Sequence, residues 1–136
     1  IDLSSTYLDW AARNFRVNEL VHADHELLRA DCREWLAQAA AGEWDLIFLD
    51  PPTFSNSKRM SGVLDTQRDH VALIEQCVRL LAPGGLLLFS TNAQRFRLDE
   101  SVGRRWQVAD ITAATIPFDF RRNARIHQAY ELRERA

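Results

Sequence analysis

Lysine is nearly missing from this chain of 136 residues: Lys58 stands alone beside sixteen arginines. Cysteine is almost as scarce. Cys32 and Cys77 are too few and too far apart for a disulfide framework, which favours a reducing, cytoplasmic setting. No apolar run approaches the length that spans a bilayer and no signal-peptide pattern is present, so no membrane partner is expected. An excess of positive charge is lacking too. The formal net charge of −2 argues against a globally basic nucleic-acid binder. No internal repeat or low-complexity tract is visible, and no local Ser/His/Asp or Cys/His motif suggests nucleophilic catalysis. The run His22-Ala23-Asp24-His25 has no further spaced ligand, so no metal is expected, and His70 and His127 read as structural or surface histidines. The chain opens on Ile1 rather than methionine, in what reads as the end of a strand, and is expected to be a piece of a longer protein.

What is present is apolar content sufficient for one domain over residues 1–136, since 46% of the residues are hydrophobic. One stretch organises the rest, Trp44-Asp-Leu-Ile-Phe-Leu-Asp-Pro-Pro-Thr-Phe-Ser55. Asp45 to Leu49 is a short apolar run between polar flanks and reads as a strand buried on both faces, as in parallel sheets. Pro51 and Pro52 cannot continue a ladder, so the strand stops at Asp50. A carboxylate then stands at the carboxyl end of a strand, where open α/β sheets bind ligands, and a rigid loop leads to an exposed Phe54. An ordinary strand followed by a proline turn has the same pattern.

The wording Asp50-Pro-Pro-Thr-Phe-Ser-Asn-Ser-Lys58 resembles the motif IV loop of Rossmann-like, S-adenosylmethionine-dependent nucleic-acid methyltransferases. It is most similar to the C-terminal domain of the bacterial bifunctional large-subunit (23S) rRNA guanine methyltransferases, and the similarity runs from Asp2-Leu3-Ser4 to the final strand. The resemblance implies the class I methyltransferase fold: α/β, a mostly parallel sheet with an antiparallel C-terminal strand pair. The family's first strand and glycine-rich turn are not in this chain, and Gly84-Gly85 cannot replace them because they precede a strand. It also implies methylation of guanine N7 in large-subunit rRNA, naked or in an early assembly intermediate. In that reading Asp50, Pro51, Pro52 and Phe54 hold the base, while Asp2, Leu3, Asp31, Cys32 and Asp50 serve the cofactor, S-adenosyl-L-methionine. Asp2 would take the ribose hydroxyls, Leu3 the adenine face, Asp31 the adenine amino group and the Cys32 N–H the ring. Asp31 is equally suited to cap a helix.

Along the chain, Ser4 and Ser5 offer an N-cap to a helix over Thr6–Phe15, with Tyr7, Leu8, Ala11, Ala12 and Phe15 on one face. Residues 16–26 read as a connection. Leu27–Ala30 reads as a short strand and Cys32–Ala41 as a helix with Trp35, Leu36 and Ala39 inward. Ser55–Thr66 is polar and aperiodic, a lid or plain surface. A helix follows from about Thr66 to Leu81, stopped by Ala82-Pro83-Gly84-Gly85, then a buried strand Leu86–Ser90 ending at Thr91-Asn92. Trp106–Thr112 and Ile126–Leu132 alternate and read as an antiparallel pair joined by an excursion through Ile116–Phe120.

Seven of the nine arginines in the last third, Arg95, Arg97, Arg104, Arg105, Arg121, Arg122 and Arg125, crowd residues 95–125. They read either as an RNA-facing patch or as a solvated face balanced by Asp99, Glu100, Asp110 and Asp119. Asn92, Arg122 and Asn123 are candidates for the substrate mouth or for turn chemistry. Rival functions are a cytosine-C5 or guanine-N2 rRNA methyltransferase of the same fold, or a non-catalytic fragment that binds nucleotide or RNA. The C5 chemistry needs a nucleophilic cysteine, and neither cysteine neighbours Asp50 in sequence. A nicotinamide-dependent oxidoreductase would share the ribose carboxylate but leaves the Asp-Pro-Pro-Thr-Phe loop without a purpose.

Overall fold

A computed structural model describes residues 1–20, 24–56, 62–123 and 125–135. It divides the chain into two units, Ile1–Gln38 with Lys58–Ser61, and Ala39–Ser57 with Gly62–Ala136.

In the first unit, helix α1 (Ser5–Val17) begins where the Ser4 side chain accepts a hydrogen bond from the Tyr7 N–H. Its apolar stripe is only half covered: Leu8, Ala11, Ala12 and Phe15 are partly buried, while Tyr7 and Trp10 are exposed. Helix α2 spans Cys32–Gln38, shorter than the expected Cys32–Ala41, and buries Leu36. The strand expected over Leu27–Ala30 shrinks to one parallel bridge, Asp2 with Arg29, supported by the Asp2 N–H donating to the Leu28 carbonyl at 3.1 Å.

The second unit is built on strands β1 (Trp44–Leu49), β4 (Leu81–Thr91), β5 (Gln107–Asp110) and β6 (Gln128–Arg133), in the order β1-β4-β6-β5. β1 runs parallel to β4, while β6 is antiparallel to both β4 and β5, so the expected antiparallel C-terminal pair is present. A separate two-stranded ladder joins β2 (Phe54–Ser55) to β3 (Leu64–Asp65), ordering both ends of a segment expected to be irregular. Helix α3 (Thr66–Leu80) is capped by Asp65, whose side chain accepts from the Arg68 N–H. It buries His70, Leu73, Ile74, Cys77, Val78 and Leu80. Parallel neighbours share a face, so Ile47 beside Leu87 and Leu49 beside Phe89 lie on the same side of the sheet. A short helix α4 (Glu100–Arg105), unexpected from the sequence, is capped by Asp99.

Two expectations need correction here. β1 is not buried on both faces: Trp44, Leu46 and Phe48 are exposed, Phe48 at 65%. Among the described residues β1 is an edge strand, and the side chains alternating away from Ile47 and Leu49 meet no covering layer. Nor does the Ala82–Gly85 stretch stop a helix before a loop. α3 passes directly into β4 at Leu81, whose backbone is already extended (φ −67°, ψ 137°). The four residues form a bulge, because Trp44 pairs with Leu81 while Leu46 pairs with Leu86. Gly84 sits there at φ +82°, and a Cβ on Gly85 would lie 3.0 Å from the Trp44 carbonyl oxygen, so both glycines are required by the bulge.

Candidate functional site

In the second unit, the register that pairs Leu49 with Phe89 sets Asp50 opposite Ser90. The Ser90 hydroxyl donates to Asp50 Oδ1 at 2.5 Å. Asp50 is exposed, and its other carboxylate oxygen meets no donor among the described residues. The two residues that follow have no N–H, so the loop holds itself through its carbonyls and its one hydroxyl. Thr66, the first residue of α3 and fully buried, supplies both donors: its hydroxyl to the Pro52 carbonyl at 2.7 Å and its N–H to the Thr53 carbonyl at 3.2 Å. Thr53 in turn donates its hydroxyl to Asn92 Oδ1 at 2.8 Å. Pro51 is buried, Pro52 exposed, and Phe54 enters β2 with 57% of its surface free.

The wall behind this loop is a polar clamp in an apolar setting. His70 is buried, with Nδ1 2.9 Å from the Gln67 carbonyl and Nε2 accepting from the Asp99 N–H at 3.0 Å. A carbonyl on one side and an N–H on the other assign the proton to Nδ1. Gln67 and Arg97 exchange two hydrogen bonds, side-chain amide to backbone, at 3.0 and 2.8 Å. Gln128 donates to the Phe96 carbonyl, and the Tyr130 hydroxyl donates to Gln128. The segment 92–99 after β4 is thereby fastened to both α3 and β6. Ser57 and Lys58, the end of the resembling motif, lie outside the described residues, as do His22 and Ala23. Among the described residues no group of three or more His, Cys, Asp or Glu is arranged to hold a metal, and no helix is long and apolar enough to cross a membrane.

In the first unit, Asp2 is half-buried and accepts from the Ser4 N–H at 2.7 Å through Oδ1. The bridge to Arg29 brings Asp2 to the end of the segment that Asp31 closes. Asp31 accepts from the Arg33 N–H at 3.0 Å through Oδ1 and pairs with the Arg33 guanidinium through Oδ2 at 3.3 Å. Asp31 thus caps the start of α2, a role compatible with the ligand contact expected of it. Leu3 is half-buried, and Cys32 is the first residue of α2.

Neither thiol is set up as a nucleophile. Cys77 is fully buried on α3. Burial, and then the neighbouring Asp31 carboxylate, raise the Cys32 thiol above its ordinary 9.0, with Arg33 opposing. Alkylation of Cys32 by iodoacetamide should accordingly show a pH midpoint above that of a cysteine in the unfolded chain, with Cys32→Ser as the blank. A midpoint at or below that of the unfolded chain would contradict the burial described. Because the folded chain holds the Cys32 proton more tightly than the unfolded one, stability is undiminished below the unfolded thiol's pKa and falls as pH rises from there through the folded value.

Of the seven arginines, Arg104 pairs with Glu100 at 3.3 Å and Arg105 pairs with Glu75 and lies against Trp106. Those two are engaged on the α4 side. Sequence reasoning named Asp50 and its loop but missed Ser90, Thr66 and Gln67. Ser90 is 40 residues away from Asp50 and Thr66 is 14 from Pro52, so no local motif announces either tie.

No family model matches the chain. A protein named "Ribosomal RNA large subunit methyltransferase K/L" from Hahella chejuensis is 56% identical over 136 residues, 100% of this chain and 19% of that protein. The protein of the same name from Legionella pneumophila (strain Corby) is 50% identical over 132 residues, 97% of this chain and 18% of that one. The chain thus spans about a fifth of the length of these curated relatives. Among solved structures, SMU.776, described as a methyltransferase complexed with SAH, superposes with a TM-score of 0.76 at 22% identity, over 96% of this chain and 37% of that one. A SAM-dependent methyltransferase from Agrobacterium tumefaciens does so at 0.70 and 14% identity, over 97% and 47%. These structures share the α/β methyltransferase fold with this chain.

Proposed function

We propose, on the premise that this chain belongs with one segment of the ribosomal RNA large subunit methyltransferases K/L, that it serves S-adenosyl-L-methionine-dependent methylation of guanine N7 in large-subunit rRNA. Residues 1–136 are taken as part of a single methyltransferase domain. The observation that carries the reading is Asp50: a carboxylate at a strand's carboxyl end, oriented through one oxygen by Ser90 and open at the other. An ionised carboxylate only accepts, so it matches the N1–H and exocyclic amine of a guanine. The Pro52 and Thr53 carbonyls are already engaged by Thr66, which leaves Asp50 and the Pro51 carbonyl as the acceptors for a base. Phe54, exposed beside them in sequence, suits stacking on a base taken out of its helix.

Guanine N7 attacks with its own lone pair and needs no deprotonation. The chain's work is then orientation and exclusion of water, which Asp50 and a loop braced at Thr53 and Pro52 can perform. The residues of the first unit fit a nucleoside cofactor. Asp2 has one carboxylate oxygen beyond the Ser4 bond, positioned for ribose hydroxyls, with Leu3 next to it and the Asp31–Cys32 turn across the bridge. The cofactor, when bound, supplies an electrophilic methyl group. A cytosine-C5 reaction is disfavoured by a buried Cys77 and a Cys32 thiol held protonated.

The test is transfer of labelled methyl groups by the intact protein to protein-free large-subunit rRNA, with the product located by strand scission at 7-methylguanine after reduction. Label that is released as 7-methylguanine is expected. Label recovered as 2-methylguanine or 5-methylcytosine would overturn the assigned atom, and no label despite bound cofactor would overturn the assigned substrate.

A further inference from the structure

The excursion between β5 and β6 carries a feature that the loop around Asp50 does not use. Its two ends are fixed: Ile116 is buried, and the Thr115 hydroxyl and His127 Nε2 are hydrogen-bonded at 2.8 Å across the base. Between them the backbone is bonded to itself. Phe120 N–H donates to Pro117, Arg121 N–H to Phe118 and Asn123 N–H to Phe120. The Asn123 side chain also accepts from the Arg125 N–H. A segment so ordered ordinarily turns its apolar side chains inward. Here Phe118 and Phe120 are 79% and 53% exposed, and Arg121, Arg122 and Arg125 are exposed with them.

The arrangement follows from the turn. Phe118–Phe120 is a 3-10 helix, in which residues three apart eclipse, so Arg121 lies over Phe118 with its guanidinium carbon 5.4 Å from the ring centre. Unlike Arg104 and Arg105, these three arginines form no ion pair with a carboxylate among the described residues, and Asp119 is the one acid between Phe118 and Arg125. The segment is also well placed. β6 begins at Gln128, which pairs with Thr91 at the end of β4, and β5 ends at Asp110, which pairs with Tyr130. The excursion therefore leaves and re-enters the sheet at the edge where β1 ends and Asp50 stands.

We propose that Phe118, Phe120, Arg121, Arg122 and Arg125 form a preordered platform for unpaired RNA, the phenylalanines stacking on bases and the arginines engaging phosphates. This deepens, and rests on, the reading of the chain as acting on RNA. Unpaired nucleic acid is favoured over other anionic surfaces because two exposed flat rings, Phe118 and Phe120, are followed directly by the exposed guanidinium forks of Arg121, Arg122 and Arg125. Rings and forks in one short segment suit a ligand that offers both unstacked bases and phosphates. It stands at the sheet edge where a base must be presented to Asp50.

The test is fluorescence anisotropy of the protein with a labelled single-stranded RNA of about ten nucleotides, against the same sequence as a duplex and against vesicles containing phosphatidylserine. Single-strand binding is expected to weaken about tenfold for Phe118→Ala with Phe120→Ala, and to be kept by Phe118→Trp with Phe120→Trp. Arg121→Gln with Arg122→Gln should lower the slope of log affinity against log salt by about 0.7 for each phosphate contact removed. Circular dichroism of each variant checks that these exposed positions leave the fold intact. Unchanged affinity in the alanine variant, equal affinity for the duplex, or preference for the vesicles would each overturn the proposal. If the single strand binds in this pattern while no guanine is methylated, the platform stands and the assigned reaction fails. If methylation proceeds unchanged in the alanine variant and binding is also unchanged, the reverse holds.

Discussion

Asp50→Ala is expected to lower methyl transfer to rRNA by about 10²-fold or more, with binding of the methyl donor changed far less. The expectation comes from what remains after the substitution. The Pro52 and Thr53 carbonyls stay tied to Thr66, and Thr53 stays tied to Asn92, so the loop keeps its course. What disappears is the exposed carboxylate at the end of β1, together with the partner of the Ser90 hydroxyl. Because Asp50 is exposed, Ser90 can bond to water instead, and stability should hardly change. Titration with the methyl donor and thermal melting separate the two effects. Near-normal transfer by a folded Asp50→Ala protein would remove the carboxylate from the mechanism. A donor affinity that fell in step with the rate would move its role to the cofactor alone.

Phe89→Ala is expected to have the largest effect on stability, about 3–5 kcal/mol, lowering Tm by about 10 °C or more. Phe89 is fully buried near the carboxyl end of β4, with the rings of Phe96 at 5.5 Å, Tyr130 at 6.3 Å and His70 at 6.4 Å. Truncation leaves a cavity between α3, β6 and the segment after β4, and those elements are also held by hydrogen bonds that resist collapse into it. Phe89→Leu should lose markedly less, since it restores most of the volume. The measurement is thermal unfolding followed by circular dichroism. A similar Tm for Phe89→Ala and the parent would mean that the rings pack loosely. Activity should fall with stability in this variant, because Ser90 and Thr91 follow directly on the same strand.

Much of the second unit was legible in the sequence. The apolar run before Asp50 marks a strand, and the 3.6-residue stripe of Val71, Ile74 and Val78 and the alternation in Ile126–Leu132 each report a local period that the fold preserves. What was not legible depends on partners. Whether β1 is covered on one face or two is decided by neighbours across the sheet, and an apolar run reads the same in both cases. The Ala82–Gly85 stretch was read as a helix stop because Pro-Gly-Gly usually is one. Its bulge arises from the register against Trp44, 40 positions before Gly84, which no window around the glycines contains. Leu27–Ala30 had the composition of a strand and only Arg29 found a bridging partner. At the candidate site the carboxylate and the aromatic were visible, and the hydroxyls that hold the carboxylate and the Pro52 carbonyl were not. Serine and threonine are common, and only the fold says which of them face Asp50 and Pro52.

Thr66 has a consequence for motion. Its N–H belongs to the first turn of α3, where helix donors ordinarily go to a cap or to water, and here it is bonded to the Thr53 carbonyl of the Asp-Pro-Pro loop. The loop therefore cannot swing away without releasing that amide, and the helix cannot fray at its start without releasing the loop. Opening of the Asp-Pro-Pro loop and melting of the first turn of α3 are one event with one free energy. The exchange of a single amide proton with solvent deuterium reports it.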